Sequence, residues 1–68
     1  MDNSVEKINK GIYRYKESRA TFEVVGFAVA PMFNSYVILI RDGKGLRIET
    51  LEEFNKQNGP VFEFIGFD

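Results

Sequence analysis

The residues best suited to bind a ligand form the segment Tyr13-Arg14-Tyr15-Lys16, in which aromatic and basic side chains alternate. Aromatic rings stack on nucleobases, at about 1–3 kcal/mol per base, and guanidinium groups form paired hydrogen bonds with phosphates. The pattern predicts a site for a nucleotide or a short nucleic acid. A half-buried strand with solvated cations would show the same alternation, so both interpretations stay open. The predicted ligand-binding residues are Tyr13, Arg14, Tyr15, Lys16, Arg41 and Arg47.

A second candidate site is a predicted loop in which Pro31 is followed by Met32 and Phe33, with Tyr36 at the start of the next strand. Exposed apolar groups in a loop commonly mark a contact with another protein. The alternative is that Phe33 folds back and closes the end of the domain. The predicted partner-binding residues are Met32, Phe33 and Tyr36.

Enzymatic activity is not expected. The chain has no histidine and no cysteine, which removes the commonest general base, the thiol nucleophile and the main zinc ligands. Glu52 and Glu53 are adjacent in a predicted helix, where neighbouring side chains point about 100° apart. They therefore do not form a pair of carboxylates suited to catalysis. The glycine-rich segment 42–45 lacks the length and the following helix of a phosphate loop. We therefore predict a non-enzymatic binding module without cofactor or metal.

Charge and apolar content indicate what kind of partner to expect. The net charge is -1, but residues 1–47 carry eight basic and five acidic side chains, whereas residues 48–68 carry one and five. The basic part favours an anionic ligand. Seven Phe and three Tyr are a large apolar supply for 68 residues, and the surplus predicts a homo-oligomer, since chains of this size often need a partner subunit for stability.

The chain shows no sign of a membrane segment or a secretion signal. Residues 1–6 are polar and lack an apolar signal region. The longest apolar stretch, Val24 to Met32, is far shorter than the ~20 residues that span a bilayer. These features, with the missing cysteines, predict a cytoplasmic protein without membrane contact.

Hydrophobic periodicity predicts the elements that position these residues. Val37, Ile38 and Ile40 belong to a short β-branched run that indicates a strand buried on both faces. It is followed by Asp42-Gly43, a hairpin signal, and by a strand expected to point Leu46 and Ile48 inward, with Arg47 and Glu49 outward. Further strands are predicted at 12–17, 21–30 and 61–68.

Three local signals refine this scheme. Gly26 within the second strand indicates a bulge, a bend or a close backbone approach. Thr50 with Glu53 forms a capping box that starts a short helix, and Asn58-Gly59-Pro60 ends it. Tyr13 and Tyr15 share one strand face, which we expect to be buried with the hydroxyls at its rim.

The predicted fold is mainly β: a small five-stranded antiparallel SH3-like barrel, with one short helix before the last strand. It spans residues 11–68 and follows a flexible N-terminal arm, residues 1–10.

Several short motifs resemble a family of uncharacterised bacterial domains. They are Gly11-x-Tyr13-Arg14-Tyr15-x-x-Ser18, Glu23-Val24-Val25-Gly26-x-Ala28, Arg47 with Phe54, and Phe62-x-x-Ile65-Gly66. Members of that family open with a Tyr-Arg-His-x-Lys-Gly-like stretch, and Tyr15 stands here where they carry the histidine. The resemblance implies a small β-barrel. The size and the missing catalytic groups are also similar to phage accessory proteins that sequester host factors, which extends the expectation to a nucleotide signal.

Overall fold

The computed structural model describes residues 8–67, except for the side chain of Phe33. Most of the predicted flexible arm, residues 1–10, therefore lies outside the described residues. Within them, the chain forms five strands, one 3₁₀ turn and one α-helix. In chain order these are β1 (Gly11–Tyr15), β2 (Thr21–Ala30), the 3₁₀ turn (Pro31–Phe33), β3 (Ser35–Asp42), β4 (Gly45–Thr50), α1 (Leu51–Gln57) and β5 (Phe62–Gly66).

The five strands form one antiparallel sheet in the order β4-β3-β2-β1-β5. The predicted class, mainly β with five antiparallel strands and a short helix before the last, is thereby confirmed. β4 and β5 are the edges of this sheet, and no pairing joins them among residues 8–67. Closure into an SH3-like barrel is therefore not confirmed. None of the helical residues described forms a segment long and apolar enough to cross a membrane.

One face of the sheet, here called the inner face, carries the hydrophobic core, and α1 packs against it. Leu51 and Phe54 of α1 are buried beside Ile38 of β3. Burying side chains of this size contributes about 1.5–3 kcal/mol each. Ile8, within the predicted arm, also packs into the core. The buried core cluster comprises Ile8, Tyr13, Phe22, Val24, Ile38, Ile40, Leu51, Phe54 and Phe62.

β3 is buried on both sides, as its apolar run predicts. Ile38 and Ile40 face the core, and Val37 is buried on the opposite, outer face. The strand also lies between β2 and β4, so its backbone groups can be paired along both sides. β3 is therefore flanked by strands at both edges and carries buried side chains on both faces.

A bulge in β2 changes which side chains face the core. The register runs from Val24 opposite Ile40 to Gly26 opposite Leu39, which leaves Val25 as an extra residue. The bulge predicted at Gly26 is therefore present. Strict alternation would place Phe22 and Gly26 on one face and Phe27 on the other, but after the bulge Phe27 shares the inner face with Phe22. One inserted residue inverts the alternation.

β4 presents the opposite face from the one predicted. Leu46 and Ile48 are 75% and 54% exposed on the outer face, whereas Arg47 lies on the inner face. The prediction of inward Leu46 and Ile48 is thus wrong. The reason is the two-residue hairpin loop, which pairs Arg47 with the buried Ile40; partners in an antiparallel pair share a face.

The helix begins as its capping box predicts. The Thr50 hydroxyl accepts a hydrogen bond from the Glu53 backbone N–H at 3.2 Å, which satisfies one of the free donors at a helix start. Asn58 ends the helix, and its N–H donates to the Phe54 carbonyl at 2.9 Å. Because β4 and β5 are opposite edges, α1 and its flanking turns carry the chain from one edge of the sheet to the other.

Candidate functional site

Tyr13, predicted as a ligand-binding residue, is a core residue. Its side chain is 1% exposed, and the ring stacks on Phe22 at a centroid distance of 5.4 Å. Its hydroxyl donates to the Asn9 carbonyl at 2.8 Å, as expected for a tyrosine face buried with its hydroxyls at the rim. Burial raises the pKa of the Tyr13 phenol above 10.0, and the bond to Asn9 opposes this. A ring buried in this way has no free face for a base.

Arg47 links the edge strand β4 to β1 across the inner face. Its guanidinium donates to the Tyr15 hydroxyl at 3.0 Å and to a Glu49 carboxylate oxygen at 2.8 Å. A third bond runs from Nε to Asp42 at 3.3 Å, and the Phe22 ring centroid lies 5.8 Å from the guanidinium carbon. Four neighbours hold this side chain, and its bond to Tyr15 connects β4 to β1 across the inner face.

The other predicted cations do not join Arg47. Arg14 alternates with the tyrosines on β1 and so lies on the outer face, where it approaches Glu63 at 3.8 Å. Arg41 lies on the outer face of β3 and forms a 2.8 Å ion pair with Glu23. Lys16 is exposed just beyond β1. The predicted aromatic-basic site is thus divided between two faces, because the residues of one strand alternate between them.

The contacts of Asp42 predict how this cluster responds to acid. Its carboxylate accepts from the Lys44 N–H at 2.8 Å, and that bond is the main reason why the pKa of Asp42 lies below 3.8; Arg47 adds to the effect. A carboxyl whose pKa is lower in the folded state contributes stability above pH 3.8 that is lost as the pH falls through the lowered pKa.

We therefore expect Asp42→Asn to lose less of its unfolding free energy than the wild type as the pH falls from about 5 to about 2. Urea unfolding followed by circular dichroism at stepped pH values measures this difference. Glu52→Gln, at an exposed position of α1, is the control and should follow the wild-type profile. Equal acid profiles for Asp42→Asn and the wild type would contradict the assignment.

An open depression of about 420 Å³ lies on the sheet beside the bulge of β2. Lys10 and Arg41 bring two cations to it, and Phe67, 76% exposed, contributes an aromatic ring. Glu23 also lines it and neutralises part of that charge. Lys10 and Phe67 are not among the ligand-binding residues predicted from the sequence. They lie far from Arg41 in the chain, and only the register of β1 with β2 and β5 brings them together.

An exposed apolar surface lies at the far end of the β2–β3 hairpin. Met32 is 85% exposed, Val29 68% and Tyr36 39%; these three residues are called the hairpin tip below. The tip is held by a 3₁₀ turn in which the Asn34 N–H donates to the Pro31 carbonyl at 3.0 Å. Met32 and Tyr36 are two of the three predicted partner-binding residues, and both are exposed as that prediction requires.

The sequence around the hairpin tip is uncharged. No Asp, Glu, Lys or Arg occurs between Glu23 and Arg41. The hairpin formed by β2 and β3 therefore carries only apolar and neutral polar side chains between these two residues. Exposed apolar groups are costly in water unless a partner covers them. The tip is therefore the best-defined candidate for a binding surface.

Neither metal chemistry nor similarity to known proteins adds a further site. The part of the chain that the structure describes brings together no group of three or more Asp or Glu residues that could hold a metal ion. Comparison with known proteins found no matching family model, no matching curated protein and no matching solved structure. The resemblance to the bacterial domain family stays a prediction.

Proposed function

We propose that this protein is a non-enzymatic interaction module that inhibits or bridges a partner protein through the hairpin tip. The exposure of Met32 carries the proposal, because a side chain 85% exposed at the end of the hairpin contributes nothing to the core. Methionine adapts to irregular apolar pockets, and Tyr36 adds a ring of the type enriched at interface hot spots.

The chemistry of the tip defines the surface that it would fit. Without charged residues between Glu23 and Arg41, the complementary surface is an apolar groove with few charges at its centre. Such a contact is stabilised by apolar burial, which salt does not screen. Its affinity should change little between about 50 and about 500 mM salt, a range over which the Debye length falls severalfold.

Binding of an anionic ligand is the second candidate, and the depression beside Lys10 and Arg41 supports it. Phe67 could stack on a base there while the cations contact phosphate. The inner-face cluster is less suited, because the Arg47 side chain is 37% exposed, whereas that of Arg41, paired with Glu23, is 58% exposed. This candidate requires affinity to fall steeply as salt rises. Native mass spectrometry of protein purified from its host tests it by revealing any co-purified nucleotide.

The interaction proposal is tested with immobilised protein in host-cell extract. We expect a retained protein that remains bound at about 500 mM salt. Its affinity, measured with the purified partner, should fall at least about tenfold with the double variant Val29→Lys, Met32→Lys, as truncation of a hot spot does. Val61→Lys, at another exposed apolar position, is the matched control and should bind like the wild type.

Three outcomes would contradict the proposal. One is that the tip variant retains every partner as tightly as Val61→Lys does. Another is retention that disappears at high salt together with calorimetric binding of a mononucleotide, which would favour the depression. The third is binding of neutral lipid vesicles through the tip, which would make the hairpin a membrane contact.

A further inference from the structure

The edge strand β4 lacks two of the features that keep sheet edges from pairing, proline and a bulge, and its two charged residues, Arg47 and Glu49, bond to each other at 2.8 Å. It pairs regularly with β3 in six successive positions, from Asp42 opposite Gly45 to Val37 opposite Thr50, without a bulge. It contains no proline and no lysine, and Leu46 and Ile48 expose most of their surface beside it. Natural proteins normally protect such an edge with charges, prolines or bulges.

The other edge, β5, is protected differently. Its register with β1 shifts between Ile12 and Tyr13, which leaves Ile65 as an extra residue and bends the strand away from a flat edge. Bulges of this kind interrupt pairing with a further strand. The two edges of the sheet are therefore not equivalent, and β4 is the one open to another strand.

The hairpin geometry shows which backbone groups of β4 point away from β3. A two-residue loop is closed by a hydrogen-bonded pair, here Asp42 with Gly45. Hydrogen-bonded and non-hydrogen-bonded pairs then alternate along the strands. Arg47 and Glu49 thus bond to β3, whereas Leu46 and Ile48 direct their N–H and C=O groups outward.

We propose that a second copy of this chain pairs with this edge, β4 against β4 and antiparallel, about a twofold axis at Ile48. In this register the outward N–H and C=O groups of Ile48 bond to the same groups of the partner's Ile48. The Leu46 groups meet Thr50 of the partner subunit. On the outer face two isoleucines, each 54% exposed in the monomer, cover one another across the axis.

Charge complementarity selects this register. With Ile48 on the axis, Arg47, which bonds to Glu49 of its own chain at 2.8 Å, also lies opposite Glu49 of the partner subunit on the inner face. The symmetry repeats the pair, so that the four charges alternate in sign. Moving the axis to Arg47 places two arginines opposite each other, and moving it to Glu49 places two glutamates there. Opposite charges in cross-strand pairs stabilise a sheet, and like charges destabilise it.

The resulting interface is isologous, so it closes as a dimer and does not propagate. It joins two five-stranded sheets into one of ten strands and covers the exposed apolar side chains of β4. This inference does not depend on the proposed function, because the hairpin tip lies around the 3₁₀ turn between β2 and β3 and stays free in the dimer. It gives a structural basis to the homo-oligomer predicted from apolar content.

The test uses sedimentation velocity over a range of protein concentrations. We expect the wild type to form a dimer reversibly, and both Ile48→Lys and Ile48→Glu to be monomeric but folded, with the far-UV circular dichroism spectrum of the wild type, since Ile48 is largely exposed. An equimolar mixture of the two variants should recover the dimer, because only a twofold axis at this position sets the introduced lysine against the introduced glutamate. Ile65→Lys, on the β5 edge, is the matched control and should dimerise normally.

Each other result overturns the proposal. A wild type that is monomeric up to millimolar concentration, or a dimer that survives Ile48→Lys, removes the β4 interface. If Ile65→Lys abolishes the dimer, the interface lies at β5 and not at β4. Failure of the mixed variants to associate shows that the axis does not lie at Ile48. Growth into larger species with concentration indicates head-to-tail pairing of β4 with β5.

Discussion

Tyr13→Ala is expected to leave most of the protein unfolded at 25 °C. Removing a buried aromatic side chain costs about 3–5 kcal/mol, whereas a domain of 68 residues has a total stability of about 3–10 kcal/mol and small domains lie near the lower end. Far-UV circular dichroism and urea unfolding measure the loss. The cost is high because Tyr13 lies 5.3–5.7 Å from four other rings, those of Phe22, Phe54, Phe62 and Phe64.

Two control variants separate the ring of Tyr13 from its hydroxyl and from a general effect of tyrosine loss. Tyr13→Phe keeps the ring and removes the bond to the Asn9 carbonyl, so it should cost about 1 kcal/mol. Tyr36→Ala, at an exposed position, should change stability by less than about 0.5 kcal/mol. If Tyr13→Ala proved no worse than Tyr13→Phe, the aromatic cluster would not be the core of the domain.

Gly11→Ala is expected to disrupt the pairing of β1 with β5. A Cβ on Gly11 would lie 2.5 Å from the Gly66 carbonyl oxygen and 3.0 Å from a ring carbon of Phe64. The residue also has φ +136°, in the region that favours glycine. Clash and backbone strain act together, so we expect a loss of more than about 2 kcal/mol of unfolding free energy, above the roughly 1 kcal/mol scale of tolerated glycine changes.

Gly45→Ala is the matched control for the backbone contribution alone. Gly45 has φ +124°, and no described atom lies within 4 Å of a Cβ placed there. Gly45→Ala should therefore lose only the unfolding free energy that corresponds to backbone strain. The additional loss in Gly11→Ala should report the clash with the Gly66 carbonyl. Amide hydrogen exchange should show β5 opening selectively in Gly11→Ala. Equal destabilisation by both variants would show that β5 yields to a side chain at Gly11.

The Tyr13→Ala and Gly11→Ala predictions concern one face of β1, for which the sequence allowed two interpretations, a buried strand face and a ligand site. Alternation of Tyr13 and Tyr15 with Arg14 and Lys16 indicates a strand, and that part is observed. The same alternation supports a ligand site only if the rings are accessible. The structure instead buries Tyr13 and joins Tyr15 to Arg47 by a hydrogen bond, which makes this face part of the core and its rim.

The sequence alone determined the elements whose signals lie within a few residues. The helix N-cap at Thr50, the Asp42-Gly43 hairpin and the buried run of β3 each depend on local geometry, and each is present. The open sheet, by contrast, depends on how far five strands curl in space. No local pattern specifies whether β4 meets β5, so the barrel could not be decided in this way.

The tertiary structure alone decided which side chains face one another. A single extra residue at Val25 inverts the alternation in β2, and the two-residue hairpin turns Arg47 inward and Ile48 outward. Both effects follow from the exact period of two in a strand, which converts a shift of one residue into a change of face. Long-range pairing sets that shift, and for this reason the composition of the candidate surfaces emerged only with the fold.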